Sequence, residues 1–454
     1  MADTLIRSAN IVSMDDTVDD LPRGDILVRD DRIVEIGAQI DAPEGAEIVE
    51  AEGMIAMPGF VNAHIHTWQT PLRGIAADWT LGQYLRAMHA GLAGFFKPED
   101  ISTGNYFGAI NQIASGTTTL VDWCHNNPAP DHTDAAIDGL MDSGIRAVFL
   151  HGSPKPDPKP GQKHFSEVPM PKGEVERLRN GRLSSDDALV TMGLAVLGPQ
   201  LAVWDVCEED FQLARETGLR ASMHISGAMR TPDGLERLAA LGLLGPQVNI
   251  VHGNILTDDQ LHMLSDLGVT FTLTPEVELQ MGFGDPLTAR LRKIGGRISI
   301  GSDIESAMAG DMFAVTRFAL QAARHYDNLE AIRETGASPP EMTIPTREAL
   351  SWATIEGARM VGLDDRIGSL TPGKQADIVL LDATKPNMFP PLEPVASILF
   401  HAGVGNVDSV MIAGTFRKRG GELCDLPARR DPAILARTGE RILSEFNRAQ
   451  SAHG

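Results

Sequence analysis

Eight β-like runs alternate with helical stretches through the middle of the chain, and this alternation limits the available folds more than any other feature. The intervening segments, such as 208–216, 235–241 and 258–267, carry apolar residues at helical spacing. Eight such units predict an α/β fold with a (β/α)8 TIM barrel, and a doubly wound sheet is the alternative that the pattern leaves open. The first run ends at His66, and the other seven are 117–122, 145–150, 189–194, 219–223, 248–251, 269–273 and 298–301.

Both ends of the chain predict short strands rather than helices. Residues 4–13 and 26–36 are β-rich, and the second segment pivots on the Asp30–Asp31 pair like a hairpin. Similar segments return at 376–382 and 407–416. Neither end makes a convincing sheet alone, so we expect the two to pair into one small composite β-sandwich. The expected domains are 1–57 and 369–425 for the sandwich, 58–368 for the barrel, and 426–454 for a C-terminal helical tail.

The apolar stretch 54–66 is predicted to be one buried strand that ends in a His-x-His pair. Residues two apart in a strand point to the same face, so His64 and His66 can reach one point. Two neutral imidazoles that converge at a strand end suit a divalent transition metal. Two partly exposed loop histidines are the alternative reading of this pair alone.

A polar residue stands at the end of most of the predicted barrel strands. Barrel enzymes gather their sites at the C-terminal face, so these residues would meet in one pocket. The set is rich in His and Asp and poor in Cys, which suits zinc, iron, manganese or cobalt. Its members are His64 and His66 after the first strand, His125 after the second, His151 after the third, His224 after the fifth, His252 after the sixth and Asp303 after the eighth.

The composition narrows the class of partner. A formal net charge of -22 argues against nucleic acid or an anionic membrane, because both favour basic patches, so a small-molecule substrate is expected. The three cysteines, Cys124, Cys207 and Cys424, have no CxxC spacing, which fits a reducing compartment without a thiolate metal cluster. The first residues show no signal-peptide pattern, and no run approaches the roughly 20 apolar residues of a membrane span. A cytoplasmic location is therefore expected.

Five short motifs resemble those of the amidohydrolase superfamily, in the branch that contains the triazine hydrolases and the cytosine and adenosylhomocysteine deaminases. They lie in the expected order over nearly the whole chain. The resemblance implies a barrel with a composite β-sandwich and a hydrolase acting on C–N bonds other than peptide bonds. The motifs are Pro58-Gly-Phe-Val-Asn-Ala-His-Ile-His66, Met223-His224, Val251-His252-Gly253, Gly301-Ser-Asp303 and Pro372-Gly-Lys-Gln-Ala-Asp377.

The resemblance also implies roles for individual residues. His252 would hydrogen-bond the metal-bound water or the substrate, and Asp303 would accept the proton of the water and return it to the leaving group. Binuclear members usually carry a carboxylated lysine after the fourth strand, but residues 198–202 contain no lysine. One divalent metal is therefore expected, with Zn²⁺ favoured over Fe²⁺, Mn²⁺ or Co²⁺. The implied ligands of that metal are His64, His66, His224 and Asp303.

The chain departs from the deaminases of this branch at one point that matters for the chemistry. Those enzymes usually carry His-x-x-Glu after the fifth strand, whereas this chain reads His224-Ile-Ser-Gly227. Aromatic deamination needs a proton donor for the ring nitrogen, and the usual carboxylate is missing. Glu276 is the predicted replacement, with Glu278 and Glu305 as alternatives. A second histidine after the seventh strand is also replaced, by Thr274, so the departures favour another C–N or related bond.

Four further residues are predicted to contact the substrate, namely Trp68, Gln69, His125 and His151. Core packing for Trp68, and structural hydrogen bonding for the two histidines, are the alternatives. Segment 153–172 is predicted to be an irregular loop, either a lid or a surface excursion. Three readings of the site stay open: an amidohydrolase of a small cyclic or aromatic nitrogen compound, an aminohydrolase or chlorohydrolase of a nucleobase-like or triazine-like ring, and a metal-free binding or scaffold protein. Homo-oligomers are common in the family.

Overall fold

The computed structural model describes residues 3–424 and 431–453, and the chain begins with five strands. β1 pairs antiparallel with β2 and parallel with β4 and β5. β2 and β3 form the predicted hairpin, in which Arg29 lies opposite Arg32 and the two aspartates make the turn. The five strands are Asp3–Ile11 (β1), Leu21–Arg29 (β2), Arg32–Gly37 (β3), Glu47–Glu50 (β4) and Met54–Pro58 (β5).

The next eight strands are parallel and form the predicted (β/α)8 barrel, which is confirmed. Each strand pairs with the next one along the chain, and a bridge between Ile65 and Asp303 joins the first to the last. The first three are buried along their whole length, as expected for strands with both faces covered. The eight are Phe60–Ile65 (β6), Thr117–Cys124 (β7), Arg146–Gly152 (β8), Val190–Ala195 (β9), Ala221–Ile225 (β10), Val248–His252 (β11), Thr270–Leu273 (β12) and Arg297–Ile300 (β13).

Four later strands complete the sheet begun by β1 to β5. β14 pairs antiparallel with β5, with Ile378 opposite Pro58, so both ends of the chain share one nine-stranded mixed sheet. The predicted composite domain is confirmed. The division of the chain at 57, 368 and 425 stays a prediction, and its last boundary meets residues 425–430, which lie outside the described residues. The strands are Ile378–Asp382 (β14), Val407–Ile412 (β15), Thr415–Arg419 (β16) and Glu422–Leu423 (β17).

The stretch 54–66 is divided between the two sheets, so the prediction of a single strand was wrong. The chain leaves the mixed sheet after Pro58 and enters the barrel at Phe60. A Cβ atom at Gly59 would lie 2.1 Å from Cγ2 of Thr118, so only glycine fits at this crossing. Both halves are apolar and buried, which is why the sequence pattern does not show the break.

Helices cover the barrel and follow its strands. The three predicted helical stretches are confirmed as the helices Trp204–Thr217, Gly234–Ala240 and Asp258–Asp266. None of the described helices combines the length and the hydrophobicity that a bilayer span requires. The helices are Leu81–Tyr84 (α1), Pro98–Ala114 (α2), Pro130–Ser143 (α3), Lys172–Arg179 (α4), Gly198–Leu201 (α5), Trp204–Thr217 (α6), Gly234–Ala240 (α7), Asp258–Asp266 (α8), Pro275–Met281 (α9), Thr288–Lys293 (α10), Met312–Thr335 (α11), Thr346–Trp352 (α12), Ile355–Val361 (α13), Pro394–Phe400 (α14) and Ala433–His453 (α15).

Short helical turns and two contacts complete the frame around the barrel. The buried ion pair between Arg146 Nε and Asp377 Oδ2, 2.9 Å long, ties the barrel to the segment before β14. The last helix packs on the barrel through the fully buried Ile442 and an ion pair between Arg441 and Asp100. The turns are 3₁₀ at Thr67–Leu72, Leu92–Phe95, Phe165–Glu167 and Val404–Asn406, and π-helical at Leu85–His89.

Candidate metal centre and active-site cavity

Four of the predicted site residues meet at the C-terminal face of the barrel, and we call them the His–Asp cluster: His64, His66, His224 and Asp303. His64 Nε2 lies 3.2 Å from His224 Nε2 and 3.3 Å from Asp303 Oδ1. His66 Nε2 lies 3.5 Å from the same aspartate oxygen. One ligand atom from each of the three histidines can be chosen so that all lie within 4.8 Å of one another. The strand ends therefore direct three nitrogens and one oxygen at a common point.

Closure of the barrel fixes this convergence. The backbone N–H of His66 donates to the Asp303 carbonyl at 2.7 Å, and the N–H of Asp303 donates to the His64 carbonyl at 3.0 Å. Asp303 has a φ of 62°, in the left-handed region that non-glycine residues rarely adopt. Strain of this kind persists where the surrounding structure enforces it, and it is common at functional sites. The same bonds that join the end of β6 to the segment after β13 therefore place the aspartate beside the histidines.

The histidines of the cluster are neutral imidazoles. Burial lowers the pKa of His66 to about 3, and burial also lowers the pKa values of His64 and His224. The neutral His66 ring donates its Nδ1–H to the Trp123 carbonyl at 2.6 Å, so its Nε2 turns a lone pair toward the cluster. Hydrogen bonding to the other ring nitrogen is the arrangement that metal-binding histidines usually show.

Asp303 supplies the negative charge of the cluster. Burial acts to raise the pKa of its carboxyl group, but the hydrogen bond from His64 outweighs burial and holds the pKa below its usual range. Three neutral nitrogens and one carboxylate, crowded together and turned inward, are a donor set that fits a divalent cation such as Zn²⁺. The residues present therefore suit the metal that the sequence predicts.

His252 stands beside the cluster in an orientation fixed by two neighbours. Its Nδ1 lies 3.1 Å from Thr274 Oγ1 and 3.3 Å from Glu278 Oε1, and its Nε2 lies 4.0 Å from Asp303 Oδ2. Glu278 is fully buried and accepts a hydrogen bond from the Thr274 backbone N–H at 2.7 Å. His252 itself has a φ of 69°. One ring nitrogen is thus engaged, and the other faces the aspartate.

The three acids considered in the sequence occupy different surroundings. Of these, Glu278 contacts His252. Glu276, one position before Val277 on α9, does not line the cavity described below, and burial raises its pKa to about 7. Glu305 accepts bonds from Arg73 at 2.7 Å and from Asn111 at 2.8 Å. The sequence analysis favoured Glu276 over Glu278, but which of the two lies near His252 depends on which side of α9 faces that histidine.

A cavity lies over the cluster and has two unlike walls. The segments after β8, β9 and β10 contribute the polar side chains that we call the polar wall, together with Leu201, and the segments after β6, β12 and β13 contribute the apolar side chains that we call the apolar wall. His66, His224, His252 and Asp303 also line the cavity. The polar wall consists of Lys155, Gln200 and Ser226. The apolar wall consists of Leu81, Leu85, Val277, Met281, Phe283 and Ile304.

The four predicted substrate contacts divide into one that lines this cavity and three that do not. His125 lines it, and its Nε2 lies 2.9 Å from Nδ1 of His89. Trp68 is fully buried and packs edge-on against Phe96, with ring centroids 5.0 Å apart. Gln69 is buried as well, as is His151, and neither of these lines the cavity.

Gln69 instead supports a residue that the sequence analysis missed. Its Nε2 donates to the Tyr84 hydroxyl at 2.5 Å, and its Oε1 accepts from Ser306 at 2.7 Å. Tyr84, His89 and Lys155 all line the cavity. They lie in segments several residues beyond a strand, so inspection of the strand ends does not find them.

The chain belongs to the amidohydrolase family, whose model matches residues 55–417. It is 29% identical to a 5-methylthioadenosine/S-adenosylhomocysteine deaminase of Moorella thermoacetica, over 94% of this chain and 97% of that protein. It is 25% identical to a 5'-deoxyadenosine deaminase of Methanosarcina mazei, over 91% of this chain and 92% of that protein. The family prediction, and with it the class of hydrolases acting on C–N bonds other than peptide bonds, is confirmed.

Two solved structures show the same architecture. A zinc-bound adenosine deaminase from Xanthomonas campestris superposes with a TM-score of 0.80 and 26% identity, covering 98% of this chain and 99% of that one. The zinc complex of an atrazine chlorohydrolase from Arthrobacter aurescens gives a TM-score of 0.82 at 21% identity, covering 97% of this chain and 100% of that one. The second likeness supports the fold alone.

Proposed function

We propose that this protein is a mononuclear metal-dependent amidohydrolase that cleaves a C–N bond in a small cyclic or aromatic nitrogen compound. The observation that carries the proposal is the convergence of His64, His66, His224 and Asp303 on one point at the mouth of the barrel. Zn²⁺ is the proposed metal, with Fe²⁺, Mn²⁺ and Co²⁺ as cations that the same donors would accept. The absence of lysine from 198–202 supports one metal rather than two.

The cluster residues and their neighbours would share the proton transfers. When bound, a divalent cation supplies a water of lowered pKa and polarises the bond under attack. Oδ1 of Asp303 faces the histidines, while Oδ2 lies 4.0 Å from His252 Nε2 and 3.5 Å from Thr274 Oγ1. Oδ2 is therefore the atom that would take a proton from the nucleophile and return it to the leaving nitrogen.

His252 would hold the nucleophile in line, and Glu278 would hold His252. The hydrogen bond that Glu278 and Thr274 share at Nδ1 leaves Nε2 as the free end of the ring. A fixed imidazole beside the reacting oxygen lowers the entropic part of the barrier. Glu276, which the sequence analysis favoured as proton donor, does not line the cavity, and we assign Glu278 the separate role of positioning His252.

Deamination of a purine-like or triazine-like ring is the second candidate. It is supported by the two relatives described above, both of which are deaminases. The glutamate that usually follows the histidine of the fifth strand is absent at Gly227. A deaminase built on this chain would have to deliver the ring proton through the His252–Glu278 pair, which approaches from the sixth and seventh strands. The two candidates share the cluster and differ in the donor to the ring.

A product screen tests the proposal. Zinc-loaded protein is incubated with amino-heterocycles, ureas and cyclic amides, and released ammonia, amine and chloride are each measured. We expect ammonia or amine from at least one class, with none from Asp303→Ala. Chloride as the sole product from chlorinated rings would make the protein a chlorohydrolase. Protein that holds no stoichiometric cation after gentle purification would support a binding or scaffold protein instead.

We also propose a small-molecule substrate, a cytoplasmic location and a homo-oligomeric assembly. The three cysteines Cys124, Cys207 and Cys424 are all free thiols, which suits a reducing compartment. The acidic net charge of -22 disfavours nucleic acid and anionic membranes. Light scattering after size-exclusion chromatography measures the assembly directly, and a monomeric mass would remove that part of the proposal.

A further inference from the structure

A buried lysine enters the cavity without a partner of opposite charge. Lys155 follows β8 and is 8% exposed, and its Nζ lies 5.1 Å from the centroid of the Trp123 ring. Within the described residues it makes no hydrogen bond and no ion pair, and burial alone lowers its pKa to about 7. Lys155 was not among the residues that the sequence predicted for the site.

The other buried cations of the chain show what Lys155 lacks. Arg146 is paired with Asp377 at 2.9 Å, and Lys418 donates to the Ala114 carbonyl at 2.9 Å. An amine removed from water without such a partner destabilises the fold. An unpartnered amine that faces a cavity is satisfied when a ligand supplies the missing acceptor.

The position of Lys155 within the cavity specifies where that acceptor would sit. Lys155 shares the polar wall with Gln200 and Ser226, on loops that follow three adjacent strands. Gln200 Oε1 accepts the backbone N–H of Ser226 at 2.6 Å, which fixes the amide and turns its Nε2 to within 3.4 Å of Ser226 Oγ. The polar wall therefore carries both an amine and an amide donor.

The charges that line the cavity favour an anion at this wall. Among the described residues that line it, Asp303 is the only acid, and it belongs to the cluster whose cation would neutralise it. The Trp123 ring lies close to both the amine and the cluster, because Lys155 Nζ is 5.1 Å from its centroid and the centroid of the His224 ring is 4.2 Å from it. A substrate held at the cluster would therefore lie within reach of this amine.

We propose that Lys155 binds a carboxylate of the substrate, so that the substrate is a nitrogen ring with an acidic substituent. The ring would rest on the apolar wall, its scissile bond would lie over the cluster, and its carboxylate would meet Lys155. The statement about the ring rests on the proposed function, whereas the carboxylate site rests on Lys155 alone. A salt bridge formed in a buried cavity is a charge-assisted hydrogen bond, stronger than a neutral one.

Calorimetric titration of matched carboxylate and amide pairs tests this site without turnover. The probes are nicotinate with nicotinamide, orotate with orotamide, and hydantoin-5-acetate with its amide, titrated into zinc-loaded protein. We expect the acid of at least one pair to bind at least about tenfold more tightly than its amide. Lys155→Met and Lys155→Gln should lose that preference, while Lys155→Arg should keep most of it. Two uncharged replacements are used so that one misfolded variant does not decide the result.

Lys172→Met is the matched control, because Lys172 is exposed and pairs with Glu216 on the surface. It should keep the full preference. A carboxylate also has affinity for zinc, so the part lost in Lys155→Met, rather than the whole preference, measures the proposed contact. The absence of any preference in the wild-type protein, or a preference that persists unchanged in both uncharged variants, would overturn the proposal.

Turnover of the same pairs, followed by ammonia or amine release, separates the two proposals. Binding of carboxylates through Lys155, without hydrolysis of any of the compounds, would support the anion site and contradict the proposed function. Hydrolysis of the carboxylate compounds at the same kcat/KM in wild type and Lys155→Met would support the hydrolase and contradict the anion site.

Discussion

The His–Asp cluster and the cavity walls above it are positioned by different means. The cluster stands at the strand ends, where barrel closure and backbone hydrogen bonds fix each residue. The walls come from excursions beyond the strands, such as the irregular loop that carries Lys155 and the π-helical turn that carries His89. The position of the His–Asp cluster therefore follows from the barrel itself, whereas the residues that would select a substrate lie on segments outside the barrel strands.

Removing the aspartate should break the cluster while it leaves the walls unchanged. Asp303→Ala should lower kcat/KM by about 10³-fold or more, because it removes both a metal ligand and the proposed proton carrier. The variant should bind neutral ring compounds about as tightly as the wild type does, since the apolar wall is unchanged. The matched control is Asp266→Ala on the exposed face of α8. Unchanged turnover in Asp303→Ala would contradict the assignment.

Glu278 and Glu276 offer a test of which acid acts on the cluster. Glu278→Ala should lower kcat by about 10- to 100-fold, the usual effect of losing a residue that orients a functional histidine. Because Glu278 contacts His252 and not the cavity, KM should move much less than kcat. Glu276→Ala is the control and should retain most activity. An equal loss in the two variants, measured by steady-state kinetics, would remove the distinction between them.

Lys155 gives the polar wall a pH dependence that the cluster does not share. The pKa of Lys155 is about 7 in the folded protein, whereas an ordinary lysine has a pKa of 10.5. Between these two pH values the unfolded chain therefore holds a proton that the folded chain lacks. The free energy of unfolding should therefore rise with pH in this window, by about 1.4 kcal/mol per unit. Lys155→Met should lack this contribution. Urea unfolding of both proteins at pH 7.5 and 8.5 measures the difference, and parallel slopes would contradict it.

Trp68 should matter to the packing beneath the walls and not to the substrate. Trp68→Phe should cost about 1–2 kcal/mol of stability through lost packing. Its Nε1 has no hydrogen-bond partner in the part of the chain that the structure describes, so no bond is lost. KM should stay within about twofold of wild type, since the side chain does not line the cavity. A large rise in KM without loss of stability would return Trp68 to the substrate contacts.

The sequence predicts the fold well because its signals are local and repeated. Strand and helix patterns recur eight times, and the strand pairing of the two chain ends follows from β-rich segments that could not form sheets alone. The one error, at Gly59, arises because a strand of the mixed sheet and a strand of the barrel are both buried and apolar. A change of sheet leaves no mark on the hydrophobic pattern beyond a glycine.

The residues of the candidate site likewise fall into some that the sequence predicts and some that it does not. The convergence of His64, His66, His224 and Asp303 could be anticipated because strand ends meet at one face of a barrel. The approach of Lys155 could not, because its position depends on how an irregular loop folds over the barrel. Similarly, the choice of Glu278 over Glu276 depends on the rotation of a single short helix.

The metal content of the purified protein tests the central claim most directly. The protein is prepared with zinc supplied and is dialysed without chelator. It should then contain about one equivalent of metal per chain, as measured by elemental mass spectrometry. His64→Ala and His224→Ala should contain almost none, while His151→Phe, a buried histidine away from the cavity, should keep its metal. A wild-type protein with no bound metal, or with two equivalents that survive in His64→Ala, would contradict the account.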